Sequence, residues 1–162
     1  MTTTRIRPPL LLTVDASVLV ATLLRTSGQV RIAHPALRLV IPDHTWNETQ
    51  HELLRRIDRL VVHGKLTNAE AQGVKAQCFT SIEDNVTVIA EEAYSPLETE
   101  ARWRIARDPR DWPTVALALA LGVGIWTEDS DFLGCGIATW TTSTLKHLLA
   151  ILDNDTPQPP TQ

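Results

Sequence analysis

The apolar run from Leu10 to Val14 follows Pro8-Pro9, ends abruptly at Asp15 and gives way at once to a helical pattern. A continuous run this short, without polar alternation, suits a strand buried on both faces. From Ala16 the spacing of Val18, Leu19, Ala21, Thr22 and Leu23 predicts a buried helix. Ser27-Gly28 is expected to stop it, with the glycine supplying a left-handed cap. A strand that feeds straight into a helix is the opening of a βα unit.

The alternation continues along the chain. A short helical segment is expected around Val30 to Ala36, and Leu37 to Ile41 reads as a second strand closed by Pro42-Asp43. A long helix follows, with Trp46, Leu53, Ile57, Leu60 and Val61 as its apolar stripe and Asp43 or Thr45 as its cap. Thr67 opens the next helix, to about Ser81, with the capping-box pattern Thr-Asn-Ala-Glu. Val86 to Ala90 is a third strand, and the chain is helical again from Pro96. Pro113 to Leu121 is apolar all round, the mark of a central helix, and is bounded by Gly122. Gly124 to Thr127 and Ile137 to Trp140 complete the strands, and Thr142 to Leu152 forms the last helix. Strands alternating with helices imply right-handed crossovers and an α/β fold of three layers, a mainly parallel, roughly five-stranded central sheet flanked by helices. One domain over residues 1–152 is expected, followed by a disordered Pro-rich tail at 153–162.

Charge and cysteine content narrow the function. The formal charge is -4, so no global positive field draws in nucleic acid. A phosphate partner must be held by local patches or by metal ions. Cys78 and Cys135 stand apart from each other and from any Cys/His group, which argues against zinc and disulfides and for a reducing cytoplasm. Arg5 and Arg7 precede apolar runs as in a secretory signal, but Asp15 interrupts the would-be signal core. No stretch approaches the ~18 apolar residues of a membrane span.

In doubly wound sheets the ligand site lies beyond the carboxyl ends of the strands. Acids fall at those places: Asp15 after the first strand, Asp108 and Asp111 before the all-apolar helix, and Asp129 and Asp131 after the fourth strand. Each also has a bland role open to it, as a helix cap for the first three or an acidic turn for the last two. Several carboxylates gathered at one crevice repel, and a cation stabilises them as anions. Oxygen-only ligation points to Mg²⁺ or Mn²⁺.

Four segments in this order resemble the PIN-domain family: Val-Asp-Ala-Ser-Val-Leu at 14–19, Pro42 with Glu48 six residues on, Asp111 followed by Val-Ala-Leu-Ala-Leu-Ala at 115–120, and Trp-Thr-Glu-Asp-Ser-Asp-Phe at 126–132. The resemblance reaches to about residue 150. It implies a metal-dependent ribonuclease with Asp15, Glu48, Asp111 and Asp129 as the catalytic acids. Asp15, Asp111, Asp129 and Asp131 would be metal ligands, with Ser17 assisting. Glu48 lies opposite the apolar stripe of its helix beside Glu52, Arg55 and Arg59, so Glu52 is its nearest substitute, and Asp108 competes with Asp111. The chain is also similar to the VapC-like toxins of bacterial toxin-antitoxin pairs, which implies a homodimer, an antitoxin partner and an RNA target.

Arg102, Arg104, Arg107 and Arg110, interleaved with Trp103 and Trp112, are the candidate grip on a nucleic-acid backbone, although helix dipoles and core packing favour the same residues. The five histidines, His34, His44, His51, His63 and His147, show no metal-ligand spacing. The rival readings are a catalytically silent PIN-like domain that binds RNA or a protein, an aspartyl phosphatase, and a receiver domain. A phosphatase normally needs a second Asp where Ser17 stands. Lys146 is badly placed for a receiver.

Overall fold

The computed structural model describes residues 8–154. The expectations for Arg5 and Arg7 lie outside the described residues, as does the tail expected to be disordered at 153–162 except for its first two residues, which are helical instead.

Five parallel strands form one sheet: β1 (Leu10–Val14), β2 (Leu37–Pro42), β3 (Val86–Ile89), β4 (Gly124–Trp126) and β5 (Thr139–Trp140), in the order β3-β2-β1-β4-β5. Helices α1 (Ala16–Leu23), α2 (Thr26–Ile32), α3 (Asp43–Val62), α4 (Asn68–Asn85), α5 (Glu98–Arg104), α6 (Trp112–Leu121) and α7 (Thr142–Asn154) connect and cover the strands. The three-layer α/β architecture read from the sequence is the one observed.

Strand alternation divides the core in two. Leu12 and Val14 of β1, Leu39 and Ile41 of β2 and Trp126 of β4 point to one face, where α1, α2, α3, α4 and α7 supply Leu19, Ile32, Leu53, Cys78 and Leu145. Val40 and Ile125 point to the other, onto Ala101 and Ile105 at α5 and Val115 to Ala118 of α6. The mostly apolar α6 is packed against the sheet on one side and against α5 and the 91–97 segment on the other. Thr13 is fully buried between Val40 and Ile125 in register, and its hydroxyl has no hydrogen-bond partner.

Most helix boundaries follow their sequence signals. Thr67 and Glu70 form the expected reciprocal capping box, and Gly122 takes the left-handed conformation at the end of α6. The stop expected at Ser27-Gly28 is displaced. The first helix ends at Leu23, and Gly28 is buried inside α2 without a positive φ. Its value is closeness: a Cβ at this position would sit 2.1 Å from the Thr22 carbonyl oxygen, so only glycine lets α2 press on α1.

Beyond β1 the chain runs to β2 and β3 on one side, and it returns to β4 on the other. The order reverses between β1 and β4, and the crevice beyond their carboxyl ends is the place where a doubly wound sheet holds its ligand.

Candidate active site

Asp15 opens α1 at that reversal. Its backbone N–H continues the sheet by donating to Trp126 O at 3.0 Å. The carboxylate makes no side-chain cap to the helix. Instead Oδ2 accepts from Ser17 Oγ at 2.6 Å and from Thr127 Oγ1 at 3.2 Å. Asp15 is 8% exposed. Burial pushes its carboxyl above the ordinary range, the two hydroxyls pull it back, and the charge of Asp129 adds to the rise.

Asp129 follows β4. Its N–H donates to Thr127 Oγ1 at 2.9 Å, and its Oδ1 accepts from the Asp131 N–H at 2.8 Å. Thr127 thus joins the two acids, a role sequence reasoning missed. The readable signal is its position directly after β4, across from Asp15. Asp131 turns away to pair with Arg107 at 3.2 Å.

Asp111 precedes α6 and makes no side-chain cap to it. Burial, then the charges of Asp15, Asp108, Asp129 and Glu48, push its carboxyl up to about 7. The charge of Glu48 acts on this group because α3 and α6 touch, with Thr45 Oγ1 and Thr114 Oγ1 3.4 Å apart. Thr45 and Glu48 are one turn apart on α3, and Thr114 lies one turn beyond Asp111, so the threonine contact brings the two acids to the same side.

The two ambiguous pairs have different surroundings. Asp108 is clasped by Arg110 through Nε at 2.9 Å and Nη2 at 2.8 Å, which holds its carboxyl below the ordinary range. Glu52 is occupied by Arg56 and Arg55 and is likewise lowered. Among the described residues, Glu48 has His44 as its ion-pair partner, at 4.0 Å. Asp111 and Glu48 both add to the forces raising the Arg110 guanidinium, so this cation stands beside the acids.

The predicted backbone-gripping arginines are all paired: Arg102 with Glu98, Arg104 with Glu100, Arg107 with Asp131 and Arg110 with Asp108. Of the interleaved tryptophans, Trp103 is 76% exposed and Trp112 is core, covered by the Arg102 guanidinium 5.3 Å from its ring centre.

In kind, these donors suit Mg²⁺ or Mn²⁺: carboxylate oxygens, with no sulfur nearby. In spacing they fall short of a ready-made centre. Among the described residues, no group of three or more His, Cys, Asp or Glu is placed so that it could hold a metal ion. The acids share one electrostatic environment, yet as they stand they do not close on a common point.

Residues 13–150 match the profile of the PIN domain. The chain belongs to the PIN-domain family. Among solved structures, this PIN domain is similar to the crystal structure of PAE2754 from Pyrobaculum aerophilum, with a TM-score of 0.66 and 18% identity over 88% of this chain and 96% of that one. At that identity the likeness speaks for the fold. No curated protein matches this PIN domain by sequence. Among the described residues, no helix is long and apolar enough to cross a membrane.

Proposed function

We propose that this PIN domain is a divalent-metal-dependent endoribonuclease that hydrolyses RNA phosphodiesters, with Asp15, Glu48, Asp111 and Asp129 as its acid set. The observation that carries the reading is that Thr127 ties Asp15 to Asp129 at the carboxyl ends of β1 and β4 in a chain of the PIN-domain family, with burial and the charges of Asp15, Asp108, Asp129 and Glu48 pushing the neighbouring Asp111 carboxyl up. Such an assembly is costly unless protons or cations join it. Asp15, Asp111 and Asp129 would hold Mg²⁺ or Mn²⁺, with Asp131 able to join once Arg107 releases it. When bound, such ions supply water activation and neutralisation of charge on the leaving oxygen.

The protein's own contribution is orientation. Ser17 and Thr127 fix the Asp15 carboxylate and favour its charged form, and Thr127 also fixes the backbone of Asp129. Glu48, exposed and with His44 at 4.0 Å as its ion-pair partner among the described residues, would orient an attacking water.

A second reading is a catalytically silent PIN domain that binds RNA or a protein. The open spacing of the carboxylates supports it more directly, since as placed they form no metal-holding group among the described residues. One experiment separates the two. Purified protein with Mn²⁺ or Mg²⁺ is incubated with single-stranded and structured RNA, in parallel with EDTA and with Asp15→Asn. Cleavage that both treatments abolish supports the nuclease, cleavage undiminished by EDTA refutes metal catalysis, and binding without cleavage establishes the silent domain.

We extend the proposal, on the resemblance to VapC-like toxins, to a cytoplasmic homodimer held in check by a cognate antitoxin. Growth arrest on expression, relieved by Asp15→Asn or by co-expression of the adjacent reading frame, is the expected outcome. Normal growth with active, soluble protein refutes the toxin assignment.

A further inference from the structure

Next to the acids lies a cavity of about 390 Å³ of opposite character. It is bounded by α1, α2, α3 and the start of α7, and Arg25, Arg31, Arg56 and Lys146 line it. Ser17 lines it too, while donating its hydroxyl to Asp15, so the cavity and the acid site share a wall.

The cations differ in their state of pairing. Arg56 is engaged by Glu52 at 2.7 Å. Arg25, Arg31 and Lys146 have no ion-pair partner among the described residues, unlike Arg102, Arg104, Arg107 and Arg110. The acid on the wall, Glu128, is turned to the start of α7, where it accepts from the Thr142 N–H at 2.6 Å. Arg31 is only partly exposed, and burial, then the charge of Arg25, pulls its guanidinium below its ordinary range. Two guanidiniums and an ammonium held around one concavity repel, and an anion placed between them relieves the repulsion.

The arrangement is built in. Gly28 allows α2 to sit against the Thr22 backbone, and Thr22, Gly28, Arg25 and Arg31 all line the cavity. Gln29 Nε2 donates to Leu23 O at 2.7 Å and locks the same turn.

We infer that this cavity is a phosphate subsite for single-stranded RNA, gripping the backbone with Arg25, Arg31 and Lys146 one or two nucleotides from the phosphodiester that faces Asp15 and Asp111. An acidic cleft on a chain of charge -4 repels a polyanion, so attraction must come from unpaired cations close by. A guanidinium pair suits phosphate oxygens, and the shared Ser17 wall gives one strand access to both places. The inference rests on the RNA reading above but not on cleavage.

The test is fluorescence anisotropy of a labelled single-stranded oligoribonucleotide with the full chain in EDTA, where only binding is read. Arg31→Gln and Lys146→Gln are each expected to weaken binding about 5- to 10-fold, and the double variant about 30-fold or more. The salt dependence of log K should flatten by roughly 0.7 for each phosphate that the variant no longer neutralises. Arg59→Gln, which removes a cation of α3 outside the cavity, keeps the parent's affinity. Lys146 is exposed on α7, so its variant retains the parent's melting temperature and isolates the charge. A double variant with the parent's affinity and salt slope overturns the subsite. So does a double variant that fails only to bind inorganic phosphate, scored by competition, while its oligonucleotide affinity stays constant. Cleavage measured separately with Mn²⁺ tells failure of the subsite from failure of the nuclease reading.

Discussion

Asp111→Asn removes the carboxyl on which the other acids press, and its effect on stability follows from the direction of the shift. The group moves from an ordinary 3.8 to about 7 on folding, so the folded protein binds this proton more tightly than the unfolded chain. The stability it contributes is fully present below about pH 4, falls as pH rises and is gone above about pH 7. At about 1.36 kcal/mol per pH unit the ceiling is roughly 4 kcal/mol. Asp111 is only partly buried, and solvent screening brings the expectation to about 2 kcal/mol. Asn matches the protonated acid in shape, so the variant equals the parent near pH 4 and exceeds it at pH 8. Urea denaturation in EDTA at steps from pH 5 to pH 8 measures the difference, which should widen up to pH 7 and then level off. The same gap appears in thermal melts at roughly 2–4 °C per kcal/mol for a chain of this size. A difference that stays constant across the range, or one that narrows as pH rises, refutes the reasoning.

Thr127→Val removes the hydroxyl that donates to Asp15 and accepts from Asp129. RNA cleavage should fall about 10-fold or more, as for loss of about 1–3 kcal/mol, and the pH-rate profile should shift upward because Asp15 loses a bond favouring its charge. Gly28→Ala places a methyl against the Thr22 carbonyl and should cost at least about 1–3 kcal/mol in urea unfolding; an unchanged midpoint would show that α2 is not tightly seated. Thr13→Val replaces a buried hydroxyl that has no partner and should raise stability by about 1 kcal/mol, read from the same unfolding curves.

The places of Asp15, Asp111 and Asp129 in the fold were legible because each sits where local patterns change. Asp15 ends an apolar run, Asp129 follows the fourth strand, and Asp111 introduces an all-apolar helix, so element boundaries alone brought them to the strand ends. The basic cavity is harder to read, although a signal for it exists: Arg25, Arg31 and Lys146 have no acid three or four residues away, whereas Arg102 and Arg104 have Glu98 and Glu100. The density of arginine makes residues 102–110 conspicuous instead, and there each cation proves to be neutralised by a neighbour.

The amino-acid order by itself determined the alternation of strands and helices, hence a parallel sheet with acids just beyond β1 and β4, because these depend on periodicity and caps acting within a few residues. Only the tertiary structure decided that Gly28 serves close packing and not a left-handed turn, that Arg110 clasps Asp108 while Asp111 feels the charges of the other acids, and that the charge of Glu48 acts on Asp111 while Glu52 stays with its arginines. Those outcomes depend on distances between segments far apart in the chain, and both burial and Coulomb energy are set by such distances.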